Sequence, residues 1–93
     1  MYAYTQVDFE SKDKHKIYYF KGDLMYPSAK NFKSRFRYEN DPDLVIVDAQ
    51  QLKIEDFTGV VALKNIYDMY KSMNKKLRIR NMDEHSSKLC KKT

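Results

Sequence analysis

The sequence predicts an α/β fold in which helices pack on a mixed β-sheet of about four strands, in the order ββαβαβα. Three observations predict it. An apolar run at residues 44–47 ends in Asp48 and has the composition of a strand covered on both faces. An amphipathic helical pattern follows from about Thr58 to Asn74. Segments of alternating or β-branched and aromatic residues on either side supply the remaining strands.

The first half of the chain predicts two strands and one helix. Alternation predicts a strand over residues 2–9, the polar residues 10–14 a hairpin connection, and the aromatic run 17–20 a second strand. The turn residues 21–23 are expected to end that strand. Apolar residues spaced at i, i+3 and i+7 predict a helix over residues 28–37, with Pro27 in its first turn.

The second half is expected to begin with turn chemistry at residues 40–43 and to place the strand 44–47 inside the sheet. A polar connection then leads to the helix that ends near Asn74, a residue that tolerates a left-handed helix cap. Alternation predicts a strand over residues 77–80, and a last helix is expected over residues 84–92.

Length and composition indicate one small soluble domain. The chain has 93 residues, 42% hydrophobic and 33% charged, and no uninterrupted apolar stretch approaches the roughly 20 residues that cross a bilayer. No secretory signal follows Met1, and Cys90 is the only cysteine, so we expect a reducing, cytoplasmic location without a disulfide. The formal net charge of +5 favours acidic partners in an unspecific way.

Thr58 is the leading candidate for a functional residue. A hydroxyl just before a helix can bind or become a phosphate, because the helix dipole and free backbone N–H groups stabilise added negative charge. Helix capping by Asp56 or Thr58 explains the same residues, with a contribution of about 1 kcal/mol. The single Gly59 cannot form the multi-amide cradle of a nucleotide-binding P-loop.

Metal and catalytic sites are not expected. His15, His85 and Cys90 lack the paired spacing of metal ligands, and His85 and Cys90 would lie on different faces of a helix. The acidic residues around the central strand, which are Asp41, Asp43, Glu55 and Asp56, fit turns and caps. Lys88, Lys91 and Lys92 form a basic end that fits a solvated helix terminus or a weak contact with an anionic membrane surface.

Three motifs, in order and at compatible spacing, resemble the STAS domain, which is named for sulfate transporters and anti-sigma factor antagonists. The first is Gly-Asp-Leu-Met-Tyr-Pro-Ser-Ala at residues 22–29, which is similar to the start of that family's first helix. The second is residues 45–48 followed by Asp56-Phe57-Thr58-Gly59, which looks like the family's Asp-x-Ser/Thr-Gly loop. The third comprises residues 75–81 and 87–92, and the resemblance covers residues 16–93.

Residues 28–32 and 40–43 make the chain most similar to the cytoplasmic C-terminal domain of bacterial sulfate permease family anion transporters. The resemblance implies a single STAS-like domain over residues 1–93, excised from a longer membrane transporter. It implies a non-enzymatic regulatory and protein-interaction role on the cytoplasmic side of the inner membrane, with no cofactor. The implied partners are the membrane part of its own transporter and a cytoplasmic regulatory protein.

The alternative is a free-standing, soluble anti-sigma factor antagonist that is switched by phosphorylation of Thr58. In both cases the resemblance makes Asp56, Thr58 and Gly59 a recognition loop, with Phe57, Val60 and Lys64 as a partner surface. Nucleic acid is not an expected partner, because basic residues are not interleaved with exposed aromatics on one sheet face.

Overall fold

The computed structural model describes residues 6–12 and 14–91. The elements confirm the predicted order: β1 (Gln6–Lys12), β2 (His15–Leu24), α1 (Tyr26–Ser34), β3 (Leu44–Ile54), α2 (Phe57–Ser72), β4 (Lys76–Arg80) and α3 (Glu84–Lys91). The strands form one mixed sheet in the order β1-β2-β3-β4. β1 pairs antiparallel with β2, and the other two pairings are parallel. β3 therefore lies inside the sheet, as its apolar run predicts.

The first three strands continue further along the chain than predicted. Residues 10–12 continue β1 instead of forming the predicted connection, whereas residues 2–5 of the predicted strand lie outside the described residues. β2 passes through the predicted turn, because Gly22 adopts a φ of 125° that glycine tolerates and the strand continues to Leu24. β3 continues to Ile54, because Leu52 and Ile54 are buried in the core.

The helices lie where they were predicted, with small differences at their ends. α1 includes Pro27 in its first turn, as predicted, but ends before residue 37 because the Arg35 amide bonds to the Phe32 carbonyl in a tight turn. α2 ends just before Asn74, whose φ of 61° confirms the left-handed cap. The predicted last helix is confirmed to Lys91, and residue 92 lies outside the described part.

All three described helices pack on one face of the sheet. Val45 and Val47 point into this core and are fully buried, together with aromatic side chains from β2, α1 and α2. On the other face of β3, Leu44 and Ile46 are only half-buried. The prediction that β3 is covered on both sides is therefore wrong for the second face.

A buried polar network ties the sheet to the helices at the end where β2 begins. Asp41, 5% exposed, accepts hydrogen bonds from Lys16 Nζ at 2.8 Å, from the Tyr18 hydroxyl at 2.6 Å and from the Tyr70 hydroxyl at 2.5 Å. Burial alone would lower the pKa of Lys16, but the bonds to Asp41 and Tyr18 raise it overall. Lys75 Nζ donates to the Asp41 carbonyl at 2.7 Å, which fixes the segment before β3.

Candidate functional site

The residues predicted as a recognition loop lie at the N-terminus of α2. Asp56 is the residue before the helix, and Phe57, Thr58 and Gly59 form its first turn. The predicted loop is therefore helical at these three positions. The cause is the cap, since Asp56 Oδ1 accepts a hydrogen bond from the Gly59 amide at 3.0 Å. Of the two capping residues that the sequence allowed, the structure uses Asp56.

Asp56 also joins this helix to α1. Its second oxygen, Oδ2, accepts a hydrogen bond from the Tyr26 amide at 3.2 Å. Tyr26 is the first residue of α1, so one carboxylate satisfies an amide at the start of each helix. The positive ends of the two helix dipoles both favour this negative charge. The two helix starts are therefore held together by Asp56, with Tyr26 at the start of one and Phe57 at the start of the other.

Gly59 is required by the close approach of α2 to the sheet. A β-carbon at this position would lie 2.6 Å from the Leu24 carbonyl oxygen and 3.1 Å from Ile54 Cγ2. The Leu24 carbonyl also accepts a hydrogen bond from the Glu55 amide at 2.9 Å, so it is fixed in place. The family resemblance made Gly59 part of a recognition loop, and the structure gives it a packing role.

An exposed surface with apolar side chains surrounds these helix starts. Tyr26 is 77% exposed and Phe57 is 63% exposed, and Val61 lies one turn further along α2 with 38% exposed. Lys64 is exposed on the same side of the helix, because residues spaced by three or four lie on one face. We call the set Tyr26, Phe57, Thr58, Val61 and Lys64 the helix-start surface.

Val61 and Tyr26 belong to this surface, although the sequence-based expectation did not include them. Val60, predicted as part of a partner surface, is only 3% exposed and packs in the core, so Val61 takes its place. Tyr26 was not singled out, although it stands in the motif before α1 as an aromatic next to Pro27. Thr58 is half-buried, and its hydroxyl makes no hydrogen bond to another residue in the described ranges.

A second polar cluster fixes β4 to β3 on the sheet face opposite the helices. Asp48 Oδ2 accepts hydrogen bonds from Arg80 Nε at 2.8 Å and Asn81 Nδ2 at 3.1 Å, and its Oδ1 accepts from the Gln50 amide at 3.0 Å. Burial alone would raise the pKa of Asp48, but these hydrogen bonds lower it overall. With its charge fully paired, Asp48 is suited to hold two strands together.

Within residues 6–12 and 14–91, no group of histidine, cysteine and acidic side chains is arranged to hold a metal ion. Burial raises the pKa of the Cys90 thiol, which disfavours the reactive thiolate. None of the helices in these ranges has the length and apolar character needed to cross a bilayer.

The fold and the sequence define the class of domain. The sequence profile of the STAS domain matches residues 6–93, and the chain therefore belongs to the STAS domain family. This match confirms the resemblance seen in the sequence and extends it to include β1. Among curated proteins, the comparison finds no match to this chain.

Solved structures of two kinds share the fold. An anti-sigma factor antagonist STAS domain from Rhodobacter sphaeroides is similar with a TM-score of 0.75 and 24% identity over 85% of this chain and 96% of that one. The murine anion transporter Slc26a9, in an inward-facing state, is similar with a TM-score of 0.78 and 12% identity over 90% of this chain but only 14% of that one. The anti-sigma factor antagonist SpoIIAA in its unphosphorylated form gives a TM-score of 0.73 and 11% identity over 92% of this chain and 78% of that one.

At these identities the structural similarities establish the fold and nothing finer. A transporter and two anti-sigma factor antagonists share this fold, so the fold does not distinguish between these two kinds of protein.

Proposed function

We propose that this chain is a non-enzymatic regulatory domain that binds a partner protein through the helix-start surface. The observation that carries the proposal is that two exposed aromatic residues, Tyr26 and Phe57, stand at the two helix starts that the Asp56 carboxylate joins. Large aromatic side chains are enriched at the centres of protein interfaces, because they bury much area at a low cost in side-chain entropy. The rigid helix starts present both rings without a need for rearrangement.

The more specific proposal is the cytoplasmic STAS domain of a sulfate permease family anion transporter. Residues 28–32 and 40–43 resemble that branch, and a domain of the transporter Slc26a9 shares the fold. The partner is then the membrane part of the same protein, or a cytoplasmic regulatory protein that docks beside it. Lys64, at the rim of the surface, favours an acidic contact on that partner.

A binding measurement with the membrane part encoded upstream in the same gene tests this proposal. We expect Phe57→Ala to weaken binding by about tenfold or more, as expected for a central aromatic contact. Tyr67→Ala is the matched control, because Tyr67 is 47% exposed on α2 but lies outside the helix-start surface. Equal affinities for both variants would contradict the proposed surface. An upstream gene region without apolar segments of about 20 residues would contradict the transporter assignment.

A free-standing anti-sigma factor antagonist is the second candidate function, and the position of Thr58 favours it. The half-buried hydroxyl lies in the first turn of α2, where the helix dipole stabilises a phosphate. Two of the similar solved structures are anti-sigma factor antagonists. A phosphate next to Phe57 would oppose burial of that ring, since a charge in an apolar interface loses its hydration.

Incubation with the anti-sigma factor kinase of the same organism, followed by mass spectrometry, tests this second candidate. We expect one phosphoryl group on the natural chain and none on Thr58→Ala. Thr58→Val keeps a β-branched side chain without the hydroxyl and should behave like the alanine variant. Modification that persists in both variants would rule out Thr58 as the switch.

A further inference from the structure

The sheet face opposite the helices carries an ordered pattern of charge. The pairing register places side chains in cross-strand rows, and two rows run from an acidic residue on β1 to an arginine on β4: Glu10, Ile17, Ile46, Arg78 and Asp8, Tyr19, Asp48, Arg80. Apolar or aromatic side chains occupy β2 in both rows. The β1 edge of this face therefore carries Asp8 and Glu10, with Lys12 beside them at 3.7 Å from Glu10 Oε1, and the β4 edge is basic.

This face is exposed along its two edges and more buried at its centre. Asp8, Glu10 and Arg78 are exposed and Tyr19 is 38% exposed, whereas Ile46 is half-buried and Ile17 is only 5% exposed. Arg80 is already bound to Asp48. Arg78 differs from it, because it has no ion-pair partner in the part of the chain that the structure describes.

We infer that this face binds the same face of a second copy of the chain, as a weak two-fold dimer. The two-fold axis runs parallel to the strands, between the two facing sheets and over the gap between β2 and β3. Rotation by 180° about this axis reverses the strand order of the second copy. β1 of one copy then lies over β4 of the other. In the first row, Glu10 of each copy faces Arg78 of the other, so this contact occurs twice. Ile17 lies opposite Ile46 but is only 5% exposed, so the charged pairs make the main contact.

The charges select this arrangement over the other face-to-face arrangement. A two-fold axis perpendicular to the strands would place β1 over β1 and β4 over β4, so that acid would face acid and arginine would face arginine. Like charges placed together across an interface are costly. Twisted sheets that pack face to face lie about 10 Å apart and cross at about 30°, which keeps the central rows in approximate register.

The dimer is expected to be weak and sensitive to salt. Strands about 4.8 Å apart give the face a geometric area on the order of 300 Å² per copy, which is below the area of stable interfaces. Exposed charge pairs contribute little when salt screens them. The row next to Glu10 and Arg78 runs from Lys12 on β1 to Lys76 on β4. Lys12 of one copy therefore faces Lys76 of the other, and the two lysines repel each other at the rim of the dimer.

This sheet face is separate from the helix-start surface, so a test of the dimer does not depend on the proposed function. Analytical ultracentrifugation of the 93-residue chain, from about 10 μM to 1 mM and at low and high salt, tests it. We expect association at low salt that weakens at least tenfold in Glu10→Lys or Arg78→Glu. The double variant Glu10→Lys/Arg78→Glu restores opposite charges and should recover the natural affinity within about threefold.

Two further variants sharpen the test. Lys30→Glu makes the same charge reversal on an exposed residue of α1, away from this face, and should leave association unchanged. Lys12→Glu removes the repulsion with Lys76 and should strengthen association. A chain that stays monomeric at 1 mM and low salt, or a dimer that neither single reversal weakens, would overturn the inference. Failure of the double variant to recover, with circular dichroism showing a folded chain, would overturn the proposed pairing as well.

Discussion

At the scale of single residues, Gly59 sets the distance between α2 and the sheet. Because glycine has no side chain, the first turn of the helix can approach the Leu24 carbonyl. That contact also fixes the positions of Phe57 and Thr58, which immediately precede Gly59. In most helices a change from glycine to alanine stabilises the folded state by about 1 kcal/mol. At this position the added methyl group meets backbone atoms that cannot move aside, so the sign is reversed.

Gly59→Ala is therefore expected to lower the free energy of unfolding by about 1–3 kcal/mol, because a β-carbon would overlap the Leu24 carbonyl oxygen. Urea unfolding followed by circular dichroism measures the change. Thr58→Ala, a substitution in the same turn, is the control and should shift stability by about 0.5 kcal/mol or less. A Gly59→Ala variant as stable as the natural chain would show that the helix can shift outward at little cost.

At the scale of secondary-structure elements, the short strand β4 depends on Asp48. β4 spans Lys76–Arg80 and, among the described strands, pairs only with β3, while Arg80 and Asn81 both bind the Asp48 carboxylate. The sequence placed Asp48 at the end of an apolar run and predicted both strands. It could not show that the acid joins them, because Asp48 and Arg80 are separated by 32 residues.

The pairing of Asp48 predicts a pH dependence of stability. Its pKa in the folded state lies below the ordinary value of 3.8, so its stabilising contribution is present above that value and is lost as the pH falls through the folded-state pKa. Asp48→Asn should lower the free energy of unfolding at pH 7 and reduce the further loss below about pH 4. Urea unfolding at pH 7 and below about pH 4 measures the free energy of unfolding of each variant. Asp68→Asn, which changes an exposed residue on α2, is the control. An equal acid-induced loss in Asp48→Asn and the natural chain would contradict the role of Asp48.

At the scale of the whole molecule, periodicity was enough to predict the order of all seven described elements. Apolar spacing indicates which residues face a core, but it does not indicate where a strand stops when polar residues on the open face continue it. Residues 49–54 show this, because Gln50, Gln51 and Lys53 are exposed while Leu52 and Ile54 remain buried. The predicted connection was therefore the second half of β3.

The candidate site was predictable where it rests on local chemistry. Asp56 as a helix cap follows from its place before an amphipathic segment, and Thr58 follows from the same position. Tyr26 became part of the surface only through its contact with Asp56, which is 30 residues away. Val60 and Val61 cannot be distinguished by hydrophobicity, and only the rotation of α2 on the sheet decides which of them is exposed.

The buried carboxylate of Asp41 has a consequence for how related sequences can vary. Its partners Lys16, Tyr18 and Tyr70 come from β2 and α2, and each of them satisfies a charge or a hydroxyl that would otherwise be buried alone. Loss of one member leaves the others unsatisfied, whereas replacement of the whole group by apolar side chains removes the need for all of them. These four positions should therefore change together, so that a STAS domain with an apolar residue in place of Asp41 should also lack the lysine and the two hydroxyls.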